Sequence, residues 1–120
     1  MPRATELIAM AVRNFEREVP ALAKLKLVLR LELRGRGDVQ VFRVRVPGPE
    51  VSKGEPEDAR LELSVPRANF NQLAEKGRLP DWREAYEHGL IKVSGDREIE
   101  RLIATVIQRQ EARSRLKKAH

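Results

Sequence analysis

The sequence predicts an α+β fold in which one sheet carries helices on one face and exposes its other face to water. Predicted strands and helices are segregated along the chain rather than strictly alternating, which favours α+β over α/β. Each predicted strand has one apolar and one polar face, as in sheets that are covered on one side only. A chain of 120 residues is long enough for one domain with one core.

The elements are expected in a definite order along this domain of residues 1–120. The divisions are an N-terminal helix at 1–20, the sheet at 21–65, helices at 66–89, a last strand and helix at 90–107, and a basic tail at 108–120. In the first helix, apolar residues recur at helical spacing, with Thr5 or a neighbour as the cap and Pro20 as the stop.

A β-hairpin follows, because leucines at every second position from 25 to 33 alternate with residues that are polar except for Val28. A turn at 35–38 leads to a second strand at 39–46. Matching the apolar faces across a four-residue loop sets the register. The predicted partners are Leu33 with Gln40, Leu31 with Phe42, Leu29 with Val44, and Leu27 with Val46.

The middle of the chain predicts two strands and then two helices. The strands are a short edge strand at 50–53 and an amphipathic strand at 59–65. Pro66 is suited to begin the first helix and Gly77 to end it. Asp81 and Glu84 have capping-box spacing for the second helix.

The final segment predicts a strand and a helix. Ile91 and Val93 alternate in the strand, and Asp96 is placed to cap the helix. Ile99, Leu102, Ile103, Val106 and Ile107 form an apolar stripe at helical spacing. The stripe ends after Gln108, so we expect residues 108–120 to form a frayed basic tail.

Composition excludes several kinds of chemistry. The chain has no cysteine, which excludes disulfides, thiol catalysis and cysteine metal sites. His88 and His120 are far apart, so no histidine metal site is expected. There is no glycine-rich phosphate loop and no nucleophile with a base, and the acidic cluster of Glu55, Glu57 and Asp58 is expected to be a solvated loop. We therefore expect no catalytic residues, no metal, no cofactor and no enzymatic activity.

The net charge of +6 suits a phosphate-bearing partner, such as an anionic membrane surface, and equally a plain solubility role. No apolar run is long enough to span a membrane and no leader is recognisable, so a cytoplasmic location is expected. The apolar helix and sheet faces either close into a plain core or leave a cavity for a ligand, and periodicity alone does not distinguish these two outcomes.

Five pieces in order, each weak alone, resemble the sterol carrier protein lipid-transfer domain over residues 54–107. They are Gly54, the strand Arg-Leu-Glu-Leu-Ser-Val at 60–65, the helix residues Phe70, Leu73 and Gly77, Ala-Tyr-Glu-His-Gly at 85–89, and Ile-Lys-Val-Ser-Gly-Asp at 91–96. The chain departs from the family pattern where Pro66 replaces a small polar residue, Tyr86 a phenylalanine and Leu90 a lysine. The usual acidic residue of the second strand is also absent, with Arg43 and Arg45 in its region.

The resemblance implies a stand-alone, prokaryotic-type member with a single five-stranded, mainly antiparallel sheet and helices packed on one face. Such domains bind sterols, fatty acids or fatty acyl-CoA without catalysis, in an apolar tunnel between sheet and helices. The tunnel lining implied for this chain is Leu29, Leu31, Phe42, Val44, Phe70, Leu73, Trp82, Tyr86, Ile91, Val93, Leu102, Ile103 and Val106.

The alternative is an interaction domain with a filled core, whose arginine-rich outer sheet face binds a protein or a polyanion. The candidates on that face are Lys26, Arg30, Arg43, Arg45 and Arg60. All five aromatic residues fall on predicted inner faces, and Glu32 and Glu62 lie among the arginines, which disfavours nucleic acid as the partner. The oligomeric state stays open, with a dimer among the options.

Overall fold

The computed structural model describes residues 3–118, with side chains described through Leu116. The helices are α1 (Ala4–Glu18), a 3₁₀ helix (Pro20–Lys24), α2 (Arg67–Lys76), α3 (Leu79–Glu87) and α4 (Arg97–Lys118). The strands are β1 (Leu27–Arg34), β2 (Val39–Val46), β3 (Glu50–Lys53), β4 (Leu61–Pro66) and β5 (Lys92–Gly95). Within this range no helix combines the length and apolar character that a membrane crossing needs.

The five strands form one sheet in the order β3-β2-β1-β4-β5. Strands β1 and β4 are parallel, and the other three pairs are antiparallel. This confirms the predicted α+β fold with a five-stranded, mainly antiparallel sheet. The hairpin register is also confirmed, since Leu27, Leu29, Leu31 and Leu33 lie opposite the partners that their alternation predicts. Strand β3 lies at the edge, as its neighbouring prolines require.

The buried core lies between the apolar sheet face and helices α1, α2 and α3. Ile8 of α1 and Phe70 of α2 are buried there, together with Leu33, Phe42 and Val44 from the sheet. Close packing of this kind leaves little room for water or ligand. No residue of α4 belongs to this core in the part of the chain described here.

The polar sheet face is partly covered, which corrects the expectation that it is open to water. Because β3 is an edge strand and β4 lies beyond β1, the loop at 54–60 has to pass two strands. Its Asp58 accepts two hydrogen bonds from Arg43, of 3.0 and 2.7 Å, and its Glu55 accepts hydrogen bonds from Arg30. Glu55 and Asp58 remain exposed, so the acidic loop is solvated as predicted, and these ion pairs hold it over the sheet.

Two helix caps also differ from expectation. Asp81 was expected to cap the second helix from outside it, but α3 already begins at Leu79. Asp81 therefore lies inside the first turn, where it accepts the backbone N–H of Arg78 at 2.8 Å. The N-terminal flank of α1 is Arg3 rather than Thr5, and Glu6 accepts the Arg3 N–H at 3.4 Å. In both cases a carboxylate one turn inside the helix satisfies an unpaired donor near the positive end of the helix dipole.

Helix α4 continues to Lys118, so the expectation of a frayed tail was wrong for residues 108–118. Alanine, arginine, glutamine and glutamate in this stretch all have good helix propensity. Glu111 also pairs with Arg83 of α3 at 2.9 Å, which ties the second half of α4 to the body of the protein. Residues 119 and 120 lie outside the described range.

Candidate functional site

The candidate site is the seam along the inner face of α4, called the α4 seam below. Helix α4 contacts β5 and the 3₁₀ helix. Its apolar stripe of Ile99, Ile103, Val106 and Ile107 is only half-buried and stays outside the core. An apolar helix face that is only half-buried is a candidate surface for an apolar ligand.

The position of α4 is fixed at its first turn. Gly95 has φ of 117°, and a Cβ there would lie 2.5 Å from the carbonyl oxygen of Arg60, so only glycine fits between β5 and β4. Asp96 then caps α4 by accepting the N–H groups of Glu98 at 3.0 Å and Ile99 at 3.3 Å, as predicted. Asp96 also pairs with Arg60 at 2.7 Å. The serine-glycine-aspartate sequence thus anchors α4 to the sheet.

Two polar links join α4 to α3. The Tyr86 hydroxyl donates to Glu100 Oε1 at 3.2 Å, and Arg83 Nε lies 2.9 Å from Glu111 Oε2. The hydrogen bond to Glu100 raises the pKa of Tyr86, and the nearby charge of Glu111 raises the pKa of Arg83. The Glu111 side chain is only 10% exposed, and its Oε1 has no hydrogen-bond partner among the described residues. These links hold α4 against α3 without an apolar core between them.

Nine of the thirteen predicted tunnel residues lie in the core or pack against it, and the other four do not. Five are buried in the core, namely Leu31, Phe42, Val44, Phe70 and Ile91. Four are partly buried and pack against that core, namely Leu29, Leu73, Trp82 and Val93. The three on α4 do not reach the core: Ile103 and Val106 face the α4 seam, whereas Leu102 is 46% exposed. Tyr86 is 48% exposed, with its hydroxyl on Glu100.

Trp82 of α3 lies at the edge of the core and is partly buried against it. Its ring lies 5.0 Å from that of Phe15 and 5.8 Å from that of Phe70, in tilted and edge-on geometry. Such aromatic contacts are favourable at these distances. Trp82 is half-buried, and its neighbour Arg83 reaches across to Glu111 on α4. The indole is thus packed against α1 and α2.

A separate groove of about 410 Å³ lies between α2 and α3. Its volume falls within the range of small-molecule sites, roughly 300–1,000 Å³. Of the predicted tunnel residues only Leu73 lines it, together with polar residues of both charge signs, including Lys76, Glu84 and His88. Sequence reasoning did not find this groove. The one available signal was Leu90, an apolar residue at an unexpected position that lines the groove.

The arginines of the outer sheet face already have partners. Besides the Arg30 and Arg43 pairs, Arg45 lies 3.5 Å from Glu50, and Arg60 pairs with Asp96. The hydrogen bond from Arg43 lowers the pKa of Asp58, and the hydrogen bond from Arg60 lowers that of Asp96. Lys26, the fifth candidate, is exposed. A face whose guanidinium groups are occupied by carboxylates offers little attraction to a phosphate.

Among residues 3–116, no group of three or more acidic or histidine side chains has the arrangement needed to hold a metal ion. No family model matches this sequence, and no match was found among curated proteins.

Solved structures do match. Similarity extends to the solution structure of palmitated SCP2L2 from Aedes aegypti, with 19% identity, a TM-score of 0.59, and coverage of 83% of this chain and 93% of that one. Apo sterol carrier protein 2 from Yarrowia lipolytica is 20% identical, with a TM-score of 0.54 and coverage of 78% of this chain and 87% of that one. The UbiJ-SCP2 ubiquinone synthesis protein is 17% identical, with a TM-score of 0.53 and coverage of 92% of this chain and 96% of that one. The resemblance predicted from residues 54–107 is thereby confirmed as one of architecture, and the chain has the sterol carrier protein fold.

Proposed function

We propose that this protein binds or transfers a hydrophobic ligand without catalysis, and that the ligand is a sterol, a fatty acid or a fatty acyl-CoA. The observation that carries the proposal is the apolar inner face of α4, which is half-buried and stays outside the core. The fold supports it, since one protein of similar structure is described as palmitated and another as a sterol carrier protein.

The ligand would lie in the α4 seam, with Ile103 and Val106 on one side and the half-buried tunnel residues of the sheet and α3 on the other. Burial of an acyl chain is favourable by about 0.8 kcal/mol per methylene. Because the core is already closed by α1, α2 and α3, the ligand does not have to displace core side chains such as Phe42 and Val44. A modest movement of the part of α4 beyond its anchored first turn, against the two polar links to α3, would open the space.

Non-catalytic binding is consistent with the absence of a recognisable reactive constellation in the sequence. Specificity would come from shape and from a few polar groups at the end of the ligand, as is usual for apolar sites. The buried, unpartnered Oε1 of Glu111 is one acceptor near the α4 seam that could receive a ligand hydroxyl or a water molecule.

The experiment is native mass spectrometry of protein purified without detergent, followed by displacement of a fluorescent fatty acid. We expect either a co-purified lipid or saturable displacement. The double variant Ile103→Ser with Val106→Ser should weaken binding at least about tenfold, since each change removes apolar contact worth about 1 kcal/mol or more. Leu116→Ser, on the exposed side of α4, is the control and should bind normally. Protein that is isolated empty and displaces nothing overturns the proposal.

A further inference from the structure

Helix α4 carries a large share of the excess positive charge of this protein on exposed side chains. Five arginines of α4 are exposed, namely Arg97, Arg101, Arg109, Arg113 and Arg115. None of them pairs with a carboxylate among the described side chains, in contrast to Arg30, Arg43, Arg45 and Arg60 on the sheet. Along the whole of α4 there are seven basic residues and only three acidic ones. The net charge of +6 is therefore largely a property of α4.

Two exposed leucines lie in the same place. Leu102 is 46% and Leu116 is 65% exposed, and both rank among the few large apolar side chains on the surface. At about 100° per residue, Leu102, Arg109, Arg113 and Leu116 fall within a sector of about 60° on the helix. The two leucines are separated by about 21 Å along the axis, at 1.5 Å per residue. We call these four residues the outer stripe of α4.

The chemistry of the outer stripe suits the surface of an anionic bilayer. Arginine guanidinium groups attract lipid phosphates, and leucines on the same face can enter the acyl boundary while the arginine stems extend to the headgroups. Glu98 is the one carboxylate on the outer face in the described range, and it lies at the N-terminal end, away from Arg109 and Arg113. The charge of the stripe is thus complementary to a negatively charged surface.

A bilayer explains the outer stripe better than a nucleic acid does. Binding to nucleic acid uses arginine and exposed aromatic rings, and the described part of α4 has no aromatic residue. Exposed leucines bring no gain against a phosphate backbone, whereas they do bring a gain at a lipid interface.

We propose that this protein docks on anionic membranes through the outer stripe of α4, with Arg101 and Arg115 next to it on one side. This extends the proposed function, because the inner face of the same helix borders the α4 seam. Docking would place the helix that closes the seam directly on the membrane, so a ligand could pass between seam and bilayer when α4 moves. Docking itself needs no bound ligand, so its failure and a failure of ligand binding are separate results.

The test is flotation of the full-length protein with vesicles of phosphatidylcholine alone and of phosphatidylcholine with phosphatidylglycerol. We expect binding only to the second kind, and weaker binding at higher salt. Arg109→Glu with Arg113→Glu should weaken binding roughly 25-fold or more, since each arginine near an anionic surface contributes about fivefold. The matched control is Arg13→Glu with Arg17→Glu, which makes the same charge change on exposed positions of α1 and should have a much smaller effect.

A second pair of variants separates a bilayer from a nucleic acid. Leu102→Ser with Leu116→Ser should reduce vesicle binding and leave any binding to labelled duplex DNA unchanged. Both leucines are exposed, so the fold should persist, which circular dichroism would check. The proposal is overturned if wild-type protein does not float with anionic vesicles, or if the two arginine pairs weaken binding equally. It is also overturned if DNA is bound at the same salt where vesicles are not.

Discussion

Tyr86 on α3 donates a hydrogen bond of 3.2 Å to Glu100 on α4, although the tyrosine is 48% exposed. Together with the pair of Arg83 and Glu111, this bond spans two helices that share no buried apolar core. The contact between α3 and α4 therefore depends on polar groups at its edge. Such a contact opens at a lower free energy than a packed interface.

The bond predicts an unusual titration of Tyr86. Because Glu100 raises the pKa of the phenol, we expect Tyr86 to ionise above its ordinary value of about 10. The bond then stabilises the fold fully below that pH, and its contribution is lost as pH rises through the raised value. Tyr86 is the one tyrosine in the chain, so an ultraviolet titration reads it directly. Glu100→Gln should return the midpoint towards 10, and an unchanged midpoint would show that the bond is absent in solution.

Core residues and exposed residues of α4 should respond differently to truncation. Phe42 is 2% exposed, so Phe42→Ala should lower the free energy of unfolding by about 3–5 kcal/mol. Leu102 is exposed, so Leu102→Ala should change it by no more than about 0.5 kcal/mol. Urea unfolding measures both. Similar losses for the two variants would mean that α4 is packed into the core after all.

Acid should weaken the ion pairs of Asp58 and Asp96. The hydrogen bonds from Arg43 and Arg60 hold the pKa of each carboxyl below its ordinary value of about 3.9. The stabilisation is therefore present above that pH and is lost as pH falls through the lowered values. Between about pH 5 and pH 2, the melting temperature of the wild type should fall more steeply with pH than that of the double variant Asp58→Asn with Asp96→Asn.

Asparagine is the suitable replacement at position 96, because it can still cap α4 while losing the charge. If the double variant loses stability on acidification as steeply as wild type, the two carboxylates do not carry the pairs seen in the structure. Both groups are exposed enough for salt to screen the effect, so the measurement belongs at low ionic strength.

Local patterns were enough to predict much of the fold. The alternation of leucines predicts the register of β1 on β2, and the glycine-aspartate pair at 95–96 predicts the start of α4. Both depend on neighbouring residues and on backbone geometry. By contrast, the partners of Glu55 and Asp58 depend on where β4 lies in the sheet, which the local pattern does not determine.

The candidate site was predictable only in part, for a similar reason. Periodicity places Ile103 and Val44 equally on inner faces, but it does not say that α1, α2 and α3 alone close the core and leave α4 aside. The groove between α2 and α3 is lined by residues from separate segments that share no period. The length of α4 was missed because charged residues are as compatible with a solvated helix as with a tail.

The most direct test of lipid binding in the α4 seam uses Trp82, the one tryptophan in the chain. A fatty acid brominated along its chain should quench Trp82 emission saturably, and the same acid without bromine should reverse the quenching. Ile103→Ser with Val106→Ser should shift the titration to at least about tenfold higher ligand concentration. Emission that stays unchanged, or that falls only in proportion to the added acid without saturation, would contradict a lipid site beside Trp82.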